Sequence, residues 1–403
     1  MKHEETPSQH RGGMTRAQWL PLLGMTLLAF VFNTSEFMPV GLLTSIAASF
    51  SLSEATTGLM ISVYAWGVML LSLPLMVAAS RFSFKPLLLA VVAVFALGQL
   101  CAAVAPTFTL LTAARLLVAA AHAIFWSIAP VVATRIAGDR HAALALSMVA
   151  TGTSIASVVG MPLGRAIGLA VGWRMTFACV GVIAVALVIY QAVVFPSLPA
   201  TERFTLKRLP GLAKNRVLVG IYVVVVCLSM GFYVAYGYIE PFLGQVGGFD
   251  DGTTTLLLTI FGAAGLVASF LFARLFDGHR FAFLGTVIIG FTAVLFCLQA
   301  ASASFAAMVA ACLVWGICGT AFNMAFQSEL MKAASADDAT VAMSIYSGLF
   351  NFGIGTGTAV GGMVVSGISI AAIGYVGGAL ALLGTLLAFG WLFRLMRAPR
   401  VTA

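Results

Sequence analysis

The chain has 403 residues, 61% of them hydrophobic and only 8% charged, with a formal net charge of +8. A water-facing surface carries about 25% charged residues, so an aqueous globule of this composition would leave large apolar patches exposed, and the chain belongs in lipid. Its apolar stretches lack the apolar–polar alternation of a membrane β-barrel, which leaves helices, whose backbone groups are satisfied internally.

Residues 1–18 are polar and mixed in charge, and predict a tail. No small-residue cleavage site separates them from the first apolar run, so no removable signal peptide is expected. Crossing the hydrocarbon takes ~20 residues, and the apolar runs predict twelve spans: 19–43, 55–79, 86–105, 109–134, 142–168, 175–195, 217–243, 253–276, 281–301, 304–331, 339–366 and 371–396. The only long polar stretch between spans, 196–216, predicts a linker between an N-terminal six-helix bundle (19–195) and a C-terminal one (217–396), with a second tail at 397–403. The fold class expected is an all-α membrane protein of two pseudo-symmetric six-helix bundles.

Positive loops stay in the cytoplasm. Lys2, Arg11 and Arg16 lie in the first tail, and the alternate connections carry Arg81/Lys85, Arg135/Arg140, Arg203/Lys207/Arg208/Lys214/Arg216, Arg274/Arg280 and Lys332. Arg394, Arg397 and Arg400 follow at the other end, leaving only Arg115, Arg165 and Arg174 of the 21 basic residues away from that side. Both termini are therefore expected in the cytoplasm, and the net positive charge is a topology signal. No soluble basic face exists for nucleic acid.

Shifting the chain by 197 residues places Ser147 on Ser344, Gly160 on Gly357 and Gly164 on Gly361. Parallel repeats of six helices are the symmetry of secondary carriers, whose substrate sites lie between the halves near the bilayer midplane. Other chemistries lack their motifs. There is no GxxxxGK[ST] loop, and the glycines from Gly353 to Gly357 lie inside a span and do not follow a soluble strand. Neither HExxH nor a nucleophile elbow occurs, so an enzyme is not expected. The six cysteines lie in apolar runs without CxxC pairs or histidines at ligand spacing, so no disulfide, metal or cofactor is expected.

An ionisable side chain in lipid costs at least ~2.5–3.5 kcal/mol and usually faces a cavity or a partner. Glu36 and Arg115 lie at similar depth on the first and fourth spans, which predicts an ion pair tied to transport or to packing. Arg115, Ala119, His122 and Trp126 share one helical face by their spacing, and Asn33 lies one turn before Glu36, with a kink expected at Pro39. Glu36 and His122 can titrate while Arg115 holds a fixed charge, so these three are the candidate proton-coupling group. In the second half Tyr233, Tyr236 and Glu240 close the seventh span, Asn323 and Gln327 lie in the tenth, and Tyr346 and Asn351 in the eleventh. Aromatic planes with amides suit a neutral polyhydroxyl ligand, so these residues, with Asn33 and Trp126, are the candidate binding set. Tyr238, near a span end, reads as an interfacial anchor. Gly160/Gly164 and Gly357/Gly361 fit close helix packing.

At FNTSEFMPVGLL (32–43), AHAIFWSIAP (121–130), GMPLGR (160–165), GWRMTF (172–177), YIEPF (238–242) and SGLFNFGIGTG (347–357) the chain resembles sugar efflux transporters of the SotB type, in the drug-exporter branch of the major facilitator superfamily. The likeness runs end to end. It implies proton-driven export of small sugars or sugar analogues across a bacterial inner membrane, by a protein taken here as a monomer. It also implies that the first, fourth, seventh and tenth spans line the cavity and that one bundle rocks against the other. By position, Arg115 matches the basic residue of the superfamily's fourth-span motif, with Val118 where a Gln is usual. Gly160, Pro162 and Gly164 resemble the fifth-span antiporter motif. The loop at Arg81–Lys85 carries no acid, whereas Asp277 stands at the corresponding place in the second half, a candidate gating residue. A multidrug/proton antiporter of the same fold and an uncoupled pore or receptor remain open as alternatives.

Overall fold

The computed structural model describes residues 14–79, 81–200, 209–335 and 338–397. Most of the first tail, the middle of the linker and the last residues, with Lys2, Arg11, Arg203, Lys207, Arg208 and Arg400, lie outside the described residues. Among the described residues twelve helices are long and apolar enough to cross a membrane, and no strand occurs. They are α1 (Arg16–Phe37), α2 (Glu54–Ala79), α3 (Phe84–Ala103), α4 (Phe108–Ala137), α5 (Ala142–Val171) and α6 (Trp173–Val194), then α7 (Arg216–Tyr236), α8 (Asp251–Leu275), α9 (Arg280–Ala301), α10 (Phe305–Ala333), α11 (Ala339–Gly367) and α12 (Ile370–Arg397).

Side-chain oxygens cap the orphan amides of several helix starts. Thr107 caps α4, Asn215 caps α7 and Ser304 caps α10. At α8 the Asp250 carboxylate accepts from the Thr253 amide at 2.7 Å, and that bond holds its carboxyl below the usual carboxylate range.

Two expected spans are shorter than their apolar runs. The run 19–43 breaks at Phe37 and continues as a 3₁₀ turn, Val40–Leu42, and a short helix, Leu43–Ser49. The run 217–243 breaks at Tyr236 and resumes as Ile239–Gln245. Pro39 and Pro241 account for both breaks: a proline lacks the N–H for the helical ladder, and its ring crowds the carbonyl four residues back. Pro162 acts more gently, since α5 absorbs it as a π turn at Ala156–Gly160.

Packing repeats across the halves. Within the first, α5 lies on α1, where a Cβ on Gly160 would stand 2.5 Å from Thr34 Oγ1 and one on Gly164 3.0 Å from Met38 Cβ. Within the second, α11 lies on α7, where a Cβ on Gly357 would stand 2.5 Å from the Met230 carbonyl and one on Gly361 2.5 Å from the Val234 carbonyl. Small residues thus let the backbones meet at corresponding places. One apolar core is confined to the first half. The second core fills the other half and takes in Ile61 and Ala65 of α2 and Met161 of α5. The halves meet where α2 packs on α11 and α5 on α8.

Tyr238 departs from its expected place as an interfacial anchor. It is fully buried, in a slot left by Gly58 of α2 and by Gly361 and Gly362 of α11, with its hydroxyl 3.5 Å from the Ala55 carbonyl. Three residues without side chains make room for a ring between the halves.

Candidate functional site

Glu36 lies in the last turn of α1, and Arg115 and His122 face it from α4. The carboxylate stands 3.7 Å from His122 Nε2. The direct Arg115–Glu36 ion pair expected from their depths is not made. Arg115 is 1% exposed; its Nη1 donates to Ser35 Oγ at 3.1 Å, and its guanidinium carbon sits 4.2 Å from the centre of the Tyr64 ring on α2. Gln99 of α3 donates to the same Ser35 oxygen. The Tyr64 and His122 rings meet edge-on at 5.7 Å, and Trp126 tilts against His122 at 6.1 Å. Arg115 Nε, His122 Nδ1, Tyr64 Oη and Gln99 Oε1 are buried without a partner. Asn33 reaches back to the Thr153 carbonyl of α5 at 3.5 Å.

From the other half, α7 brings Tyr233 and Tyr236 within electrostatic reach of Glu36, and the Tyr236 hydroxyl donates to Met161 Sδ of α5 at 3.6 Å. These tyrosines border an aromatic group of Phe232, Phe261 and Trp315. Phe350 links Tyr233 to Tyr346. The Tyr346 hydroxyl donates to Asn323 Oδ1 at 2.8 Å, and Gln327 donates to the same oxygen at 3.0 Å. Asn351 donates to the Ser347 carbonyl at 3.0 Å, which leaves its buried Oδ1 without a partner. Rings and amides of α7, α10 and α11 thus form one connected group, next to the α1 carboxylate that Tyr233 and Tyr236 approach.

Glu240 stands apart from the tyrosines that precede it. Its carboxylate accepts from Arg165 Nη1 at 2.7 Å and from the Thr44 amide and hydroxyl at 3.1 and 2.8 Å. Arg165, at the far end of α5, also donates to the Gly41 carbonyl and to Asp251 Oδ1, both at 2.7 Å, and to Thr255 Oγ1 at 3.2 Å. One buried guanidinium therefore joins residues of both halves. At the other end of the spans Asp277 is 92% exposed and lies 3.6 Å from Lys332. The buried acid there is Glu329 of α10, which meets Arg280 at 2.5 Å.

A model of the Major Facilitator Superfamily matches residues 25–250 and 221–402. The chain belongs to that superfamily. It is 39% identical over 388 residues to a "Probable sugar efflux transporter" of Mannheimia succiniciproducens, covering 96% of this chain and 97% of the relative. Crystal structures of a bacterial homologue of the human lysosomal transporter Spinster, in inward-facing occupied and unoccupied conformations, share the fold. Each superposes with a TM-score of 0.67 over 95% of this chain and 96% of the other, at 16% and 14% identity respectively. The protein is thus a multi-pass membrane transporter and not an enzyme.

In this major facilitator protein, sequence reasoning places Glu36, Arg115 and His122 together, as found, but it misses the groups that hold them. Ser35, Tyr64 and Gln99 are polar residues within apolar spans, and their burial in lipid was the available signal. Arg165 and Asp251 were legible only as charges near a span end.

Proposed function

We propose that the protein exports small sugars or sugar analogues from the cytoplasm in exchange for protons, by alternating access, in a bacterial inner membrane with both termini inside. The sugar assignment rests on the near full-length likeness to a probable sugar efflux transporter. The observation that carries proton exchange is the position of Glu36, a carboxylate at the meeting of the bundles, beside His122 and without a cation in direct contact. Such a group can take a proton from one face and release it to the other. Glu36 and His122 interact, so the proton belongs to the site and not to one residue. Tyr233, Tyr236, Asn323, Gln327, Tyr346 and Asn351 supply rings and amides that fit a polyhydroxyl ligand, with Asn33 and Trp126 contributing from the other half.

The rocking units are residues 19–195 and 217–396, joined by 196–216, and each chain works as a monomer. The Arg165, Glu240, Asp251 and Thr44 contacts hold the outer ends together and form the outer gate. Gly160, Pro162, Gly164, Gly357 and Gly361 set the close helix contacts within each bundle that let it move as a unit, and Asp277 with Lys332 lies at the inner gate.

The test uses proteoliposomes with an imposed pH gradient and a panel of radiolabelled sugars. Uphill movement of at least one sugar that collapses with the gradient is expected. Glu36→Gln should abolish uphill movement while leaving sugar exchange measurable, and His122→Ala should do the same or shift its pH optimum. Movement of cationic drugs in place of every sugar would overturn the substrate assignment, and gradient-independent transport would overturn the coupling.

A further inference from the structure

Gln99 is fully buried on α3, among Val91, Val92, Phe95 and Ala96. An amide in that setting is costly unless hydrogen-bonded, and its one bond goes to Ser35 Oγ. That oxygen accepts a second donor, Arg115 Nη1. A hydroxyl oxygen has two lone pairs, so Ser35, itself fully buried, has no acceptor capacity left. The guanidinium is thereby fixed from two sides: Ser35 holds one nitrogen, and the Tyr64 ring lies against its carbon at 4.2 Å. Ser35 and Glu36 are successive residues on α1, so their side chains leave the helix in different directions. Ser35 points to α3 and α4 partners, while Glu36 turns to His122.

We propose that Gln99 and Ser35 are positioning residues of the proton site, holding the Arg115 guanidinium on Tyr64 and off the Glu36 carboxylate. The inference rests on the reading of Glu36 as a proton carrier. The groups facing Glu36 are Arg115 and His122 from α4, Tyr64 from α2, and Tyr233 and Tyr236 from α7. Arg115 is the only permanent charge among them. A carboxylate in direct contact with an arginine keeps its negative charge to much lower pH, and such a pair would not exchange a proton in the range where a carrier works. Without Ser35 the guanidinium loses its hydrogen-bond partner and is free to turn to the Glu36 carboxylate; without Gln99 the Ser35 hydroxyl loses the donor that fixes its orientation toward Arg115. The arrangement therefore keeps a fixed positive charge close enough to act on the site, yet out of contact with the group that must change its protonation.

The experiment follows the carboxyl C=O band of Glu36 by infrared difference spectroscopy during pH titration of the purified full-length protein, with Glu36→Gln identifying the band. Ser35→Ala and Gln99→Leu are expected to move its midpoint to lower pH by roughly one unit or more, whereas Ser35→Thr, which restores the hydroxyl, should keep the midpoint of the unaltered protein. A purely structural role would lower thermal stability and leave the midpoint in place. If Ser35→Ala and Gln99→Leu titrate with an unshifted Glu36 band, the positioning role is wrong while the proton-site reading stands. If no band disappears in Glu36→Gln, Glu36 does not carry the proton, and both readings fall. Ser35→Ala, which removes one oxygen, keeps the test decisive should Gln99→Leu fail to fold.

Discussion

Single residues in this protein take their meaning from partners that the chain brings from far away. Asn351 illustrates the point: one side of its amide is satisfied by Ser347 within its own helix, and the other is buried without a partner. Removing an unpaired acceptor from the ligand-free protein removes a desolvated group, so Asn351→Ala should leave the melting temperature unchanged or raise it. Loss of a hydrogen bond worth about 0.5–1.5 kcal/mol to a sugar hydroxyl should weaken binding by roughly 2- to 13-fold. Calorimetric titration with a transported sugar and a thermal melt check the two halves of this statement. Unchanged affinity with a lowered melting temperature would return Asn351 to packing. Glu240 teaches the complementary lesson, for its place after two tyrosines points toward a ligand, whereas Arg165 and Thr44 occupy its carboxylate.

At the scale of elements, lipid decides that the spans are helices and small residues decide how they pack. A Cβ on Gly357 would press on the Met230 carbonyl of α7, and backbone cannot turn aside as a side chain can. Gly357→Val should therefore cost about 1–3 kcal/mol by overpacking, read as a lower melting temperature in detergent. Gly244, which has open space around its Cβ position, serves as the control, and Gly244→Ala should change stability by less than ~0.5 kcal/mol. Equal melting temperatures for both variants would show that α7 and α11 do not meet as described. The prolines show why boundaries were harder to read than the elements themselves. Pro74 and Pro130 sit inside α2 and α4 without ending them, whereas α1 and α7 stop short of Pro39 and Pro241. The same residue type kinks, ends or merely interrupts a helix according to what neighbouring helices offer the freed carbonyls.

Across the whole molecule, the contact from Arg165 to Glu240 and Asp251 predicts a conformational consequence. Breaking a buried ion pair by removing one partner costs about 3–5 kcal/mol, because the other charge stays buried and uncompensated. Opening that end of the bundles would expose Glu240 to water, so with the orientation proposed above Arg165→Met should shift the population toward an outward-open state. Spin labels at the exposed positions Ala48 and Gly244 should then move apart, and an impermeant thiol reagent should reach cysteines there from outside intact cells. Labelling only from the cytoplasmic face would reverse the orientation, and an unchanged label separation would remove the gate.

The sequence by itself determined the solvent, the all-helical class, the twelve spans and the repeat, because each follows from composition and apolar run length against a hydrocarbon layer that tolerates no unsatisfied backbone. It also singled out Glu36, Arg115 and His122, since ionisable groups in lipid are too costly to be incidental. Only the tertiary structure decided that Arg115 rests on Ser35 and Tyr64 and not on Glu36, that Arg165 joins the halves, and that Tyr238 lies buried between them. Those outcomes depend on hydrogen-bond and packing geometry a few ångströms across, between helices whose rotation and approach are set by close glycine contacts along their whole length. Residue spacing within one helix carries no record of which face its neighbour presents.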